Sequence, residues 1–461
     1  MDFSAANTAL WSMVVQFGAI AAAILVSNIL RLKIAFVRSS LMPTAVLAGF
    51  MLLILRTLGL FDLNLAVLEM MTYHGIALGF IAMSLRVNRK DGTAKGDHTG
   101  SKSGALIVGS YLIQGVAGLA ITIILGYILM PDLFKAAGIL LPMGYGQGPG
   151  QANNVGATYE AMGFVGGRSF GLSLAASGYL VACVVGVIFL NILVRHGKIR
   201  RTTHGERSGS VTVDTFQDEN EVPISESLDK FSIQVALVIL IYLLTYLVTR
   251  GITGGLTALS PGLAGTVNSL LWGFNFIIGS ALAMLACLVI KQLRKANYMT
   301  HQYQNNYLLS RISGFCFDLM IVAGIASIEI ADLRGLWLPF ILLSVAGTVV
   351  TWFYLAKVCR KIYPDYYYEG LMSMYGMMTG TISSGVLLLR EIDPDYETPA
   401  ANNLVLGSSF GIIFGIPVLI LISLAPRSDL FCLITLGLCA AYFVLLMLFI
   451  YKFGKTRGKT A

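Results

Sequence analysis

Apolar runs long enough to cross a membrane dominate this chain. They fall at 9–30, 41–60, 65–85, 104–130, 168–194, 231–249, 267–290, 307–331, 335–357, 402–424 and 430–451. Each approaches the ~20 residues that a helix needs to span a hydrocarbon core. With 56% hydrophobic and 12% charged residues, the chain lacks the polar surface of a soluble globule. The expected fold is an all-α integral membrane protein of about eleven transmembrane helices. Six cysteines show no CxxC or Cys/His ligand spacing, so they read as small packing residues and not as a metal site or disulfide framework. No basic region precedes the first apolar run, whose first cation is Arg31. That pattern reads as a retained first helix with its N-terminus outside.

Two segments interrupt the apolar pattern, 135–163 and 366–390. The first contains Pro142–Gly156, PMGYGQGPGQANNVG, with five glycines, two glutamines and two asparagines. Gly and Pro both break helices, and broken backbone survives at membrane depth only where it is buried in protein or lines a cavity. A weaker copy follows. Tyr145-Gly146-x-x-x-Gly150 returns as Tyr375-Gly376-x-x-x-Gly380, and Ser169-Phe170-Gly171 returns as Ser409-Phe410-Gly411. Each interrupted segment divides about its glycines into two arms of ~11 residues, each ~16 Å long, or half a hydrocarbon core. Such arms make a re-entrant hairpin that enters and leaves on one side.

The cations set an expected topology. With the N-terminus outside, 26 of the 32 lysines and arginines fall in predicted cytoplasmic segments, as the positive-inside rule requires. The outer face keeps Arg56, Lys135, Arg168, Arg250, Arg334 and Arg427. The net charge of +8 is thereby a topology signal, not a sign of nucleic-acid binding. Each half holds five spans and a hairpin. Five is odd, so the halves are inverted and the hairpin tips approach from opposite faces. The expected organisation is a first inverted repeat (1–195), a polar cytoplasmic linker (196–230), a second inverted repeat (231–425), and an extra C-terminal helix with a basic tail (426–461). The final span has no counterpart in the first half and reads as peripheral. The run Tyr366-Tyr367-Tyr368 and Trp337, Trp352 and Tyr354 read as members of interfacial aromatic belts.

At these residues the chain resembles the bacterial sodium/glutamate symporter family, as a distant member. The resemblance rests on a Gly-rich hairpin in each half, a Pro-x-x-Val-x-x-Gly opening of the second span (Pro43, Val46, Gly49) and a hydrophilic central linker. It extends over almost the whole length. Tyr145 stands where that family usually has His, and Met377 and Met378 lie between Gly376 and Gly380. The resemblance implies sodium-coupled uptake of an amino acid or carboxylate by a homodimer in the bacterial inner membrane. It also implies an elevator mechanism with a scaffold part and a moving transport part.

The candidate site follows from the residues themselves. The arm that begins near Gln151 exposes N–H groups whose helix dipole favours an anion. The carbonyls of Gly144, Gly146, Gly148 and Gly150, freed from helical bonding, are hard ligands for sodium. Gln147, Gln151, Asn153 and Asn154 add amides, beside Tyr145. In the second hairpin, Gly376 and Gly380 accompany Thr379, Thr381, Ser383 and Ser384, whose hydroxyls can cap the second arm or bind substrate and ions. Asp318 lies near the middle of the eighth span, where an acid is functional by default. It is a candidate ion ligand or proton carrier, with His74 as a conceivable partner. Gln114 and Asn275 read as bonds between helices. No HExxH, GxSxG or P-loop occurs, so no enzyme and no cofactor is expected beyond Na+ as coupling ion. The alternatives are a proton-coupled carrier of another organic acid, an ion channel and an intramembrane enzyme.

Overall fold

The structure, a computed structural model, describes residues 4, 7–35, 37, 42–86, 98–199, 230–259, 271–272, 275–299, 302–393 and 398–452. Among the described residues there is no strand. The first half contains α1 (Thr8–Lys33), α2 (Thr44–Thr57), α3 (Leu65–Ser84), α4 (Thr99–Ile128), α5 (Leu140–Tyr145), α6 (Pro149–Glu160) and α7 (Gly167–Arg195). The second contains α8 (Lys230–Leu259), α9 (Asn275–Lys295), α10 (Asn306–Ala326) and α11 (Trp337–Ile362). It continues with α12 (Tyr367–Thr379), α13 (Ile382–Arg390), α14 (Ala400–Leu424) and α15 (Asp429–Lys452). Ten of these helices are long and apolar enough to cross a membrane, which makes the chain a multi-pass membrane protein. The expected linker, apart from its ends, and the basic tail after 452 lie outside the described residues.

One expected span is shorter than its apolar run. The run 41–60 yields α2, with 14 residues, or ~21 Å against the ~30 Å of a hydrocarbon core. Proline starts it and glycine stops it. Pro43 is its N-cap, and Gly59 at φ +68° closes it. Leu60 N–H donates to the Leu55 carbonyl and Gly59 N–H to the Arg56 carbonyl, both at 2.9 Å. That pairing satisfies the terminal carbonyls as a Schellman motif does.

By internal contacts the described chain forms two units that do not follow the two sequence halves. One takes the described residues up to 69, 98–199 and 321–452; the other takes 70–86, 230–259, 271–272, 275–299 and 302–320. Both interrupted segments therefore belong to the first unit. The second unit has its own apolar core of Ile81, Ala82, Leu85, Val238, Ile241, Ala283 and Leu309. Polar cross-links hold it as well: Tyr73 Oη donates to the Trp272 carbonyl at 2.7 Å, and Ser313 Oγ to the Gly79 carbonyl at 2.9 Å.

In the first unit α4 is the central post, packed on several sides through its small residues. Gly100 and Gly104 face Phe410 of α14, and Gly407 of α14 faces Ser103 and Ile107. Gly109 admits the Tyr354 phenol of α11, whose hydroxyl donates to the Leu106 carbonyl at 3.1 Å. Gly118 meets Gly138, backbone against backbone. Membrane helices lack a hydrophobic drive to associate and rely on such close approach. Two aromatic expectations are corrected here. Tyr354 is buried, and Trp352 stacks on Phe189 at 3.5 Å, because both point at neighbouring helices from the middle of α11. The final helix is not merely peripheral either. It buries Cys432, Thr435, Cys439, Leu446 and Ile450, and Tyr442 Oη donates to the Phe414 carbonyl at 2.7 Å.

The glycines of α4 differ in what surrounds them. A Cβ on Gly118 would overlap the Gly138 carbonyl, whereas one on Gly115 would meet nothing nearer than Pro142 Cγ at 3.7 Å. Gly118→Leu is expected to lose about 1–3 kcal/mol through overpacking, and Gly115→Ala to be neutral. Thermal unfolding of the two variants in detergent checks this.

Candidate functional site

The first interruption is built from a 3-10 turn at Lys135–Ile139, then α5, then α6. The chain keeps helical winding longer than its glycines suggest. Gly146 remains right-handed (φ −82°, ψ −30°), and Gly148 leaves that region (φ +84°, ψ −175°). As a result the Gly144 carbonyl accepts from Gly148 N–H at 3.1 Å, and the Gly148 carbonyl from Ala152 N–H at 3.2 Å. The expectation that these carbonyls stand freed from helical bonding is thus corrected for both. Pro149 opens α6 at its first position, where its missing N–H costs nothing and its fixed φ suits the helix. Gly150 and Gln151 follow, with N–H groups ahead of the Ala152 bond.

The second interruption joins α12, of 13 residues, to α13, of 9 residues, through Gly380 and the extended Thr381. The two arms lie against each other. A Cβ on Gly376 would sit 2.8 Å from Gly385 Cα and from the Ser384 carbonyl. Gly376 is therefore an arm-packing residue inside α12, ahead of the break at Gly380. The arms of both segments run to about 14–20 Å at 1.5 Å per residue.

The two breaks meet each other. The Cβ position of Gly148 lies 3.3 Å from Thr381 Cγ2 and 3.9 Å from the Gly380 carbonyl. Gly148 is the N-cap of α6 and Thr381 the N-cap of α13, so two helix N-termini begin at one place. Each carries roughly half a positive charge. From α7, Gly178 approaches the Thr379 carbonyl and the Tyr145 ring, and from α4 the Tyr111 ring covers Gly146.

Several polar side chains at these N-termini are buried without partners. Gln151, the third residue of α6, is 1% exposed, and neither its amide oxygen nor its amide nitrogen has a hydrogen bond. Ser384, the third residue of α13, is 3% exposed with an unpartnered hydroxyl. Asn153 Oδ1 and Thr381 Oγ1 are also unpartnered, and Thr381 makes no capping bond. An unmade hydrogen bond at a buried group costs about 1–3 kcal/mol, so such groups call for an explanation. Here they gather at the junction of two broken helices.

Other candidates are engaged elsewhere. Tyr145 Oη donates to the Ser344 carbonyl at 2.8 Å and lies 3.1 Å from Ser177 Oγ. It ties α5 to α7 and α11. Thr379 Oγ1 donates to the Tyr375 carbonyl of its own helix at 2.8 Å. Asn154 and Gly150 are buried, and Gln147 is half-buried within the break. The side chain of Ser383 lies outside the described residues.

Asp318 belongs to the second unit, and its side chain is exposed there, with no hydrogen bond or ion pair among the described residues. It lies off the face that α10 turns toward α3, which holds Ser313, Cys316, Phe317 and Met320. His74 does not pair with it. Its Nδ1 lies 2.5 Å from Tyr242 Oη. Asn275 Nδ2 donates to Tyr73 Oη at 2.8 Å, a bond between helices as expected.

Gln114 proves closer to the site than its sequence suggested. Its Nε2 donates to Thr351 Oγ1 at 2.7 Å and to the Met378 carbonyl at 3.0 Å, and its Oε1 is buried without a partner. It pins the end of α12 to α4 and α11. A polar residue in mid-helix was the signal available in the sequence. At the far end of α6, Glu160 accepts from Arg168 N–H at 2.9 Å and pairs with Arg168 Nε at 3.0 Å, while Arg168 Nη1 pairs with Glu69. About a third exposed, these pairs contribute little to stability, but they fix where the arm ends. No protein-family model matches the chain, and no curated protein matches it.

Gly148 and Gly163 separate backbone strain from tip contact. Both are left-handed, at φ +84° and +100°, but a Cβ on Gly163 would meet nothing within 4 Å. Each substitution to alanine is expected to cost about 1–3 kcal/mol for the positive-φ backbone alone. Gly148→Ala should cost more, because of the Thr381 methyl, and adding Thr381→Ser should restore the difference. Melting temperatures of the single and double variants measure it.

Proposed function

We propose that the protein is a secondary active transporter that couples sodium entry to uptake of glutamate or a related small carboxylate. The observation that carries this reading is the meeting of two broken helices, with Gln151, Asn153, Thr381 and Ser384 buried and unpartnered at their N-termini. Discontinuous helices in corresponding positions are how secondary transporters build sites within the membrane. The N-termini of α6 and α13 attract the carboxylate. The unpartnered hydroxyls and the Gly146 carbonyl supply oxygen ligands for Na+, as unwound backbone does in such carriers.

In this reading the arms form re-entrant hairpins that belong to two inverted repeats and enter from opposite faces. The division of the chain into two units supports an elevator-type mechanism, with one part moving and one fixed. A homodimer in the bacterial inner membrane, with the N-terminus outside and the C-terminus in the cytoplasm, completes the proposal. The positive-inside count supports that orientation.

Uptake into proteoliposomes tests it. A sodium gradient, inward and imposed without a pH gradient, is expected to drive accumulation of labelled substrate, and Gly148→Val to abolish it. Accumulation that follows a pH gradient and ignores sodium would move the coupling to protons. In intact cells, Val165→Cys should label with an impermeant maleimide and Lys198→Cys only after permeabilisation. The reverse pattern would overturn the orientation.

A further inference from the structure

The junction of the two breaks has a third wall. Helix α7 packs on both interrupted segments through backbone contacts: Gly171 meets the Ala152 carbonyl of α6, Gly144 of α5 meets the Ala175 backbone, and Gly178 meets the Thr379 carbonyl of α12. Such close approach between small residues fixes one helix against its neighbours. The next residue along α7 is Tyr179, which is 0% exposed. The Cβ position of Gly148 lies 3.7 Å from the Tyr179 hydroxyl, 3.3 Å from Thr381 Cγ2 and 3.9 Å from the Gly380 carbonyl oxygen. One point at the N-cap of α6 thus has the second break on one side and a phenol of α7 on another.

Tyr111, Tyr145 and Tyr179 all reach the first break, but they turn different atoms toward it. Tyr145 Oη is bonded to the Ser344 carbonyl at 2.8 Å. Tyr111 presents its ring edge to Gly146, whereas Tyr179 presents its hydroxyl to Gly148. Packing alone needs only the ring, and a buried hydroxyl costs free energy unless a polar group meets it. Neither N-terminus at the junction is capped by its own side chain: Gly148 has none, and Thr381 makes no capping bond. An anionic oxygen seated there takes the place of the cap. At the Gly148 end that oxygen comes within reach of the phenol, and a hydroxyl donating to a carboxylate makes a charge-assisted bond.

We infer that Tyr179 is a ligand-binding residue of the tip site, whose hydroxyl donates to the carboxylate held at the N-termini of α6 and α13. This rests on the carrier reading and adds to its site a side chain from a continuous helix, outside both interrupted segments.

Thermal shift of the purified full-length protein in sodium-containing detergent buffer tests the inference, since a ligand that binds the folded state raises its melting temperature. The probes are L-glutamate, L-aspartate and succinate. Tyr179→Phe keeps the ring and removes the donor. It is expected to raise the half-saturating concentration about tenfold or more, by a similar factor for every probe that binds, because the carboxylate is the group they share. Tyr375→Phe is the control. It also removes a buried hydroxyl, but its ring packs on Trp352 and Phe189, and half-saturation is expected to stay unchanged.

An unchanged half-saturating concentration in folded Tyr179→Phe would overturn the inference and leave the carrier in place, even if the variant melts earlier. A loss confined to the amino acids would overturn the assignment to the carboxylate. Should Tyr179→Phe not fold, 3-fluorotyrosine introduced at 179 keeps the hydroxyl, and its fluorine resonance is expected to move on saturation while the same label at 375 does not. A resonance at 179 that stays put would overturn the inference. Wild-type protein that none of the probes shifts, with or without sodium, would overturn the carrier reading and this inference with it.

Discussion

Hydrocarbon gives a backbone N–H or C=O no partner, so a chain that crosses it must pair every such group within itself. Continuous helices meet that demand locally. A break at membrane depth does not, and the protein has to close it with something else. Around the Gly146–Gly148 break much of the closure is internal: Gly144 and Gly148 keep near-helical bonds, and Pro149 removes one donor that would otherwise need a partner. What remains open besides the Gly146 carbonyl and the N-terminal N–H groups is side chain, at Gln151, Asn153, Thr381 and Ser384.

The surrounding helices make the meeting of the breaks possible. Small residues let α4 and α7 come close enough to hold the arms: Gly118 against Gly138, Gly178 against the Thr379 carbonyl, and Gly171 against the Ala152 carbonyl. Gln114 then fixes the end of α12 by donating to two acceptors at once. The phenol of Tyr145 fixes α5, donating to the Ser344 carbonyl and lying 3.1 Å from Ser177 Oγ. Each device sacrifices side-chain volume or a hydrogen-bonding group to position a break. The open atoms at Gln151, Asn153, Thr381 and Ser384 are the groups on which the proposed carrier reading rests.

The paired tyrosine-glycine motifs show how repetition in sequence and equivalence in space can part company. The motif match aligns Gly146 with Gly376, yet Gly146 lies in a break and Gly376 lies inside α12 against Gly385. Counting instead from the start of each second arm aligns Gly148 with Thr381 and Gln151 with Ser384. The first of these pairs is in contact, and both members of the second are buried and unpartnered. Tyr145 and Tyr375 also differ. The first hydroxyl is bonded and the second, packed on Trp352 and Phe189, is not.

The sequence by itself determined that this chain spans a membrane many times, and that its glycine-bearing interruptions fall at 135–163 and 366–390. Composition and run length act locally, and a residue's cost in hydrocarbon depends little on its neighbours. Tertiary structure decided which polar groups are used up and which stay open. Tyr145, Thr379 and the Gly144 carbonyl looked equivalent to Gln151 and Ser384 until their partners were placed. Only packing reveals a partner from another helix, as Ser344 is for Tyr145, because no local pattern encodes it. Asp318 shows the same limit in reverse: its position in mid-helix is plain from the sequence, but the face it occupies depends on the turn of α10 against α3.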